Sequence, residues 1–191
     1  MDYLMLIDKF NPVPAKVTEN LELISIRGYL MESQAGKQLE KMLTAAENDD
    51  IKINIISAFR SNDYQQMLWE REISLEMWGG LCYAAAVDKV AKTLALPGSS
   101  EHNTGLAVDL GTECADDVEE DFHQSKQARW LSHRSADFGF ILRYPRLKEH
   151  ITGISYEPWH YRYVGAEAAQ MITQSGICLE EFLHFYSEKY I

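Results

Sequence analysis

Nowhere does the sequence run for the roughly 18 apolar residues that a helical membrane span requires, so no transmembrane helix is expected. Basic side chains are in short supply: 18 Lys+Arg stand against 29 Asp+Glu, a formal net charge of −11. A nucleic-acid binder needs a basic surface to displace counterions, and the deficit argues against that class. It also denies an anionic ligand any long-range attraction, so a carboxylate substrate has to be held by local donors. Cysteine is scarce too. Cys82, Cys114 and Cys178 are widely spaced, odd in number and form no C-x-x-C pair. That pattern speaks against a closed disulfide framework, a zinc knuckle and a dithiol redox site, and it fits a reducing compartment. The first residues, MDYLMLIDKFNPVP, show no basic segment, no long apolar core and no small-residue cleavage site. A cytoplasmic location is expected. There is no internal repeat, low-complexity tract or interdomain linker, and 191 residues, 46% of them hydrophobic, suit one domain over 1–191.

Several segments carry periodicity. SQAGKQLEKMLTAAEND, from Ser33, places Leu39, Met42, Leu43 and Ala46 on one helical face, with Ser33 as candidate cap. Lys52–Ser57 reads as a short strand buried on both faces. The segment from Ser61 to Trp78 reads as a helix lined by Tyr64, Leu68, Ile73 and Met77, closed by two glycines. A further helix is expected over YAAAVDKVAKTLAL, from Tyr83 to Leu96, a strand over Leu106–Gly111, a solvated acidic excursion after it, and a short helix over Lys126–Arg134. Gly139–Pro145 reads as a strand, KEHITGI as a hairpin or tight connection, and WHYRYVG as a strand. Two closing helices are expected near 166–174 and 179–189. Helices with scattered short strands, and no regular βαβ alternation, indicate an α+β fold.

The chemistry-bearing residues cluster in two places. His102 lies in a polar, glycine-bearing loop, and Asp109 lies in the apolar strand LAVDL, where an unpaired carboxylate is costly to bury. Gly105 lets the chain turn between them. Later, YEPWHYRY holds Glu157 and His160, and Pro158 argues against a continuous helix there. Two imidazoles and a carboxylate form a zinc set with the fourth tetrahedral position free for water, and Glu157 can then stay outside the metal shell to handle protons. Spacing alone leaves the alternative of unrelated structural polar groups open. Trp159 either packs beneath this cluster or belongs to the core. Tyr161 and Tyr163 share one strand face, which spacing assigns neither to core nor to substrate. Ser99, Glu101 and Asn103 are expected at a pocket rim with no chemical task.

SEHNTGLAVD, Ser100 to Asp109, resembles the S-x-H-x-x-G-x-A-x-D pattern of the VanY/VanX zinc D,D-peptidase family, and EPWH, Glu157 to His160, resembles its E-x-W-H pattern. SAFRS, Ser57 to Ser61, is similar to the segment that carries the family's essential arginine. GFILRYP, HITGISYEPWH and RYVG extend the likeness over roughly 51–176, and the chain looks most like the VanXY branch. The resemblance implies that His102, Asp109 and His160 bind one catalytic zinc per chain. It implies Glu157 as acid–base, Arg60 as the residue that stabilises the transition state, and Ser100 as a holder of the substrate's terminal carboxylate. The implied fold is Hedgehog/D,D-peptidase-like, with helices around a small, mainly antiparallel sheet. The implied activity is hydrolysis of D-Ala-D-Ala and removal of the terminal D-Ala from muramyl pentapeptide precursors, in support of vancomycin resistance. A D,D-endopeptidase, an L,D-carboxypeptidase and a noncatalytic zinc protein are the competing readings. A homodimer is left open.

Overall fold

In the computed structural model, residues 1–190 are described, with side chains through Tyr186. After a short helix α1 (Ala15–Glu19), a hairpin pairs β1 (Leu23–Ile26) with β2 (Tyr29–Glu32). Its two-residue turn needs positive φ at both positions, and Arg27 and Gly28 supply +51° and +94°. Arg27 then reaches Glu40 and Glu47 on the following helix, α2 (Ser33–Asn48). That helix is capped by Glu32, not Ser33: the Glu32 carboxylate accepts from the backbone N–H groups of Gln34 and Ala35, both at 2.9 Å. The stripe Leu39, Met42, Leu43 and Ala46 is buried as its spacing predicts, and Ala35 joins it.

The central sheet has four strands in the order β3-β4-β6-β5, all antiparallel. They are β3 (Asn54–Ser57), β4 (Ala107–Gly111), β5 (Phe140–Leu142) and β6 (His160–Tyr163). Side chains alternate between the two sheet faces. Val108, Leu110, Tyr161, Tyr163 and Phe140 turn to one face and join the α2 stripe in the main core. Leu39, Met42, Leu43 and Leu110 are at most 1% exposed, and each such side chain contributes roughly 1.5–3 kcal/mol relative to exposure. Tyr161 and Tyr163 are thus core residues. The other face carries Asp109, His160 and Arg162, and all of strand β6 is buried. At the β5 end, that second side is covered by α7 (Ala166–Ser175) and α8 (Leu179–Tyr190), which pack Ala168, Ile172, Leu179 and Phe182 against Ile141 and Val164.

A third cluster joins α3 (Asn62–Trp78), capped by Ser61, to α4 (Tyr83–Val90). The buried stripe of α3 is Gln65, Trp69 and Ile73, whereas Tyr64 and Met77 are exposed and Trp78 is 88% exposed. Of the expected face Ile73 is buried and Leu68 half-buried; Trp69 and Ile73 pack on Ala86 and Val90 of α4, and the Gln65 amide on the same side donates to the Ala95 carbonyl at 2.8 Å. Helix α5 (Lys126–Arg134) falls where expected, and of the two readings of KEHITGI the tight connection is observed, as one helical turn, α6 (Glu149–Thr152). The acidic excursion is not wholly solvated: it closes in a 3-10 turn, Glu120–Gln124, whose Phe122 enters the main core.

Candidate metal centre and cleft

Strand register assembles the site. Ser57 pairs with Asp109 across β3 and β4, and Asp109 pairs with His160 across β4 and β6. Three adjacent strands therefore set Ser57, Asp109 and His160 in one row. His102 comes from a 3-10 turn, Glu101–Thr104, immediately before β4. Gly105 ends that turn at φ +69°, and a Cβ there would lie 2.7 Å from the Glu32 backbone nitrogen. Glycine is needed both for the left-handed backbone and for this close approach. Its carbonyl accepts the Glu32 N–H at 2.9 Å, which ties the turn to β2.

His102, Asp109 and His160 are buried, and each offers a ligand atom within 4.8 Å of the others. His102 Nδ1 donates to the Ala58 carbonyl at 2.6 Å, which leaves Nε2 facing Asp109 Oδ2 at 3.2 Å. His160 presents the opposite nitrogen: Nδ1 lies 2.9 Å from Asp109 Oδ1. Burial, with help from the Arg60 cation, lowers the His102 pKa and favours the neutral imidazole a metal requires. Burial would lower His160 as well, but its hydrogen bonds to Asp109 and Glu101 push it up to about 9. Burial would raise Asp109, but the two histidines hold it well below the usual range. An N,N,O donor set with converging atoms fits a zinc ion with an open fourth position.

Glu157 stands beside this set rather than in it. It is 5% exposed, and its Oε2 lies 3.8 Å from His160 Nδ1. Burial pushes its pKa up to about 8 against the pull of His160, with Asp109 and Glu101 adding to the rise; a cation at the neighbouring ligands opposes that shift. Arg60 is aimed by Ser57, whose Oγ accepts from Nε at 2.9 Å, and its Nη2 donates to Asp109 Oδ2 at 2.6 Å. Ser100 is 2% exposed and lines the same cavity, and its hydroxyl has no intramolecular partner among the described residues. The cavity measures about 670 Å³ and is walled also by Tyr64, Tyr144, Trp159 and, from the acidic excursion, Asp116, Asp117 and Glu120. The structure therefore brings together His102, Asp109, His160, Glu157, Arg60 and Ser100 around one cleft.

Glu101 departs from its expected place at a rim. Its side chain is 1% exposed, with Oε1 at 2.8 Å from both Arg143 Nε and Arg162 Nη1. Burial would raise its pKa, but the two guanidinium groups hold it well below the carboxylate range. Arg143 and Arg162 were not singled out by sequence. Their one visible signal is a charge flanked by apolar and aromatic residues, Arg162 within the fully buried β6 and Arg143 just past β5.

The VanY family profile, described as D-alanyl-D-alanine carboxypeptidase, matches residues 28–166. The chain belongs to the VanY family. It is 37% identical over 181 residues to a D-alanyl-D-alanine carboxypeptidase of Enterococcus faecalis, covering 95% of this chain and 65% of that protein. It is 35% identical to the bifunctional D-Ala-D-Ala dipeptidase and carboxypeptidase VanXYC of Enterococcus gallinarum, covering 98% and 97%. The chain thus spans just under two thirds of the first relative and nearly all of the second. Among solved structures, VanYB in complex with D-alanine-D-alanine superposes with a TM-score of 0.86 at 36% identity, covering 95% of this chain and 97% of that one. A vancomycin-resistance D,D-pentapeptidase VanY variant in complex with Zn(II) gives 0.85 at 36% identity, covering 96% and 99%. The L,D-carboxypeptidase LdcB gives 0.74 at 32% identity, covering 94% and 84%. The VanY-family fold expected from sequence, helices around a small antiparallel sheet, is the one observed. No helix among the described residues is long and apolar enough to cross a membrane.

Proposed function

We propose that this VanY-family chain is a zinc D,D-peptidase that releases D-Ala from D-Ala-D-Ala and from peptidoglycan-precursor pentapeptides ending in D-Ala-D-Ala. The observation that carries the reading is the convergence of His102, Asp109 and His160 ligand atoms beside Glu157 and Arg60 in one cleft. His102 Nε2, His160 Nδ1 and the Asp109 carboxylate would hold the ion. Zinc, when bound, supplies Lewis-acid polarisation of the scissile carbonyl and acidifies water.

The chain's own groups do the rest. Glu157 takes a proton from the attacking water and returns it to the leaving amine. Its burial keeps the carboxylate basic enough for that exchange. The Arg60 guanidinium, fixed by Ser57, supplies positive charge where the oxyanion develops, which favours the transition state over the ground-state carbonyl. Ser100 donates its unpartnered hydroxyl to the substrate's terminal carboxylate, a local donor of the kind that a net charge of −11 makes necessary. The acid and the base here are one residue, so a single cleft serves both halves of the reaction.

One domain over 1–191 carries this activity, and the cytoplasm is the proposed compartment, in keeping with three unpaired cysteines, two of them exposed. Through hydrolysis of D-Ala-D-Ala termini the enzyme would support vancomycin resistance. Parallel assays of free D-Ala release test the reading. The zinc-loaded protein is expected to cut both the dipeptide and the pentapeptide. Activity confined to an L,D-linked tetrapeptide would replace the reading with L,D-carboxypeptidase, and activity confined to a cross-linked muropeptide would replace it with endopeptidase.

A further inference from the structure

The side chain of Glu101 is spent in an orderly way. Oε1 is shared by two guanidinium groups, Arg143 and Arg162, each at 2.8 Å. Oε2 is left over and points at His160 Nε2, 3.5 Å away, a long contact that still defines direction. Both arginines are themselves locked. Arg143 is held by Glu180 on α8 through two hydrogen bonds of 2.8 and 3.0 Å, and its backbone N–H donates to the His160 carbonyl at 3.1 Å. Arg162 donates through Nη2 to the carbonyls of Tyr3 and Met5, and through Nε to that of Tyr163.

We infer that Glu101 is a positioning residue for His160: its Oε2 fixes the imidazole in the Nε2–H tautomer, so that Nδ1 is the nitrogen turned to the metal set. The inference rests on the zinc assignment above. A metal-binding histidine usually donates its second ring N–H to a carboxylate or carbonyl, which sets tautomer and orientation. The Ala58 carbonyl does this for His102 through Nδ1. Among the described residues no carbonyl takes that place on the Nε2 side of His160, and Glu101 is the acceptor there. The arginines ensure that the acceptor is a carboxylate with its second oxygen free. The outer partners, Glu180 and the Tyr3 and Met5 carbonyls, hold the arginines without touching His160.

Glu101→Gln tests this. Arg143 Nε, which donates to Oε1, would claim the amide oxygen with the Arg162 guanidinium close beside it, which turns the NH₂ toward His160 Nε2. Two donors cannot face each other, so His160 would shift its proton to Nδ1, the nitrogen needed for the metal. Competition with a chromophoric chelator is expected to show zinc dissociation constants raised about 10- to 100-fold. Glu180→Gln is the control, since it loosens the same network at Arg143 without reaching His160. It should lower thermal stability and leave zinc affinity unchanged. Unchanged affinity in Glu101→Gln, or equal loss in both variants in step with their melting temperatures, would overturn the inference. If Glu101→Gln does not fold, wild-type protein loaded with ¹¹³Cd and ¹⁵N-labelled at histidine gives a second test. Cadmium should couple to His160 Nδ1 and His102 Nε2, with a proton on His160 Nε2; coupling to His160 Nε2 overturns the inference. Wild-type protein that binds neither zinc nor cadmium at these histidines overturns the zinc assignment itself.

Discussion

Asp109 and His160 are direct partners across the antiparallel pair β4–β6, and their side chains meet, Nδ1 to Oδ1, at 2.9 Å. Because strand partners on one face keep fixed spacing, the pairing that builds the sheet also sets the donor set. Replacing Asp109 with alanine should therefore remove the ion without unzipping the sheet. Wild-type protein is expected to bind one zinc per chain by elemental analysis, and Asp109→Ala essentially none. Chelation should abolish D-Ala release and zinc should restore it. Saturating zinc should also raise the wild-type melting temperature, since a ligand at about 100 times its dissociation constant adds roughly 2.7 kcal/mol. A chelated protein that keeps full activity would refute the assignment.

In the proposed mechanism Glu157 separates proton transfer from metal retention. It lies outside the three-residue donor set, 3.8 Å from His160 Nδ1. Glutamine keeps its size and cannot cycle a proton. Glu157→Gln should hold zinc at wild-type stoichiometry while turnover falls about 10²- to 10⁴-fold. Near-normal turnover would remove Glu157 from the mechanism, and loss of zinc would make it a ligand.

In the proposed mechanism Arg60 acts through placement as much as charge. Ser57, the cross-strand partner of Asp109, holds its Nε, and the planar fork reaches Asp109 with Nη2. Lysine retains the charge but has neither the fork nor the Nε–H that Ser57 accepts. Arg60→Lys and Arg60→Ala are both expected to lose about 10²- to 10³-fold in kcat, with a smaller change in KM. A variant that raises KM alone would assign Arg60 to ground-state binding.

These residues were legible in sequence because they sit in short, ordered motifs with unusual company: a histidine in a glycine-bearing loop, a carboxylate in an apolar strand. The helices were legible where packing follows simple periodicity, as in α2. Legibility failed where a tertiary contact decided. In α3, Trp69 turns inward with Ile73 because both pack on Ala86 and Val90 of α4, while the expected Tyr64 and Met77 stay exposed. The β1–β2 hairpin escaped notice because its turn places a non-glycine residue, Arg27, at positive φ, without the Asn-Gly or Asp-Gly signal. The Glu101–Arg143–Arg162 network joins positions 42 and 61 residues apart in sequence, and no local pattern announces it.

Gly105 is a test of the scaffold rather than the chemistry. Its φ of +69°, and a Glu32 nitrogen 2.7 Å from where a Cβ would stand, leave no room for a methyl group. Gly105→Ala should cost roughly 1–3 kcal/mol from backbone strain, read as a lower midpoint in urea. The strain falls between His102 and Asp109, so zinc affinity should weaken as well. A midpoint equal to wild type would mean that the turn relaxes freely.

Ser100 offers the sharpest test of substrate orientation. A terminal carboxylate entering a protein of net charge −11 gains nothing from the overall field, so each local donor matters. The Ser100 hydroxyl faces the cavity with no partner of its own among the described residues. A hydrogen bond to a charged group is worth roughly 1.5–3 kcal/mol, so Ser100→Ala should lower kcat/KM for D-Ala-D-Ala-ending peptides about 10- to 100-fold. The same peptide with a C-terminal amide has already lost the charge that Ser100 serves. Wild type should process it poorly, and Ser100→Ala should process it nearly as well as wild type does. Equal losses for acid and amide substrates would show that Ser100 shapes the turn before His102 instead of holding the carboxylate.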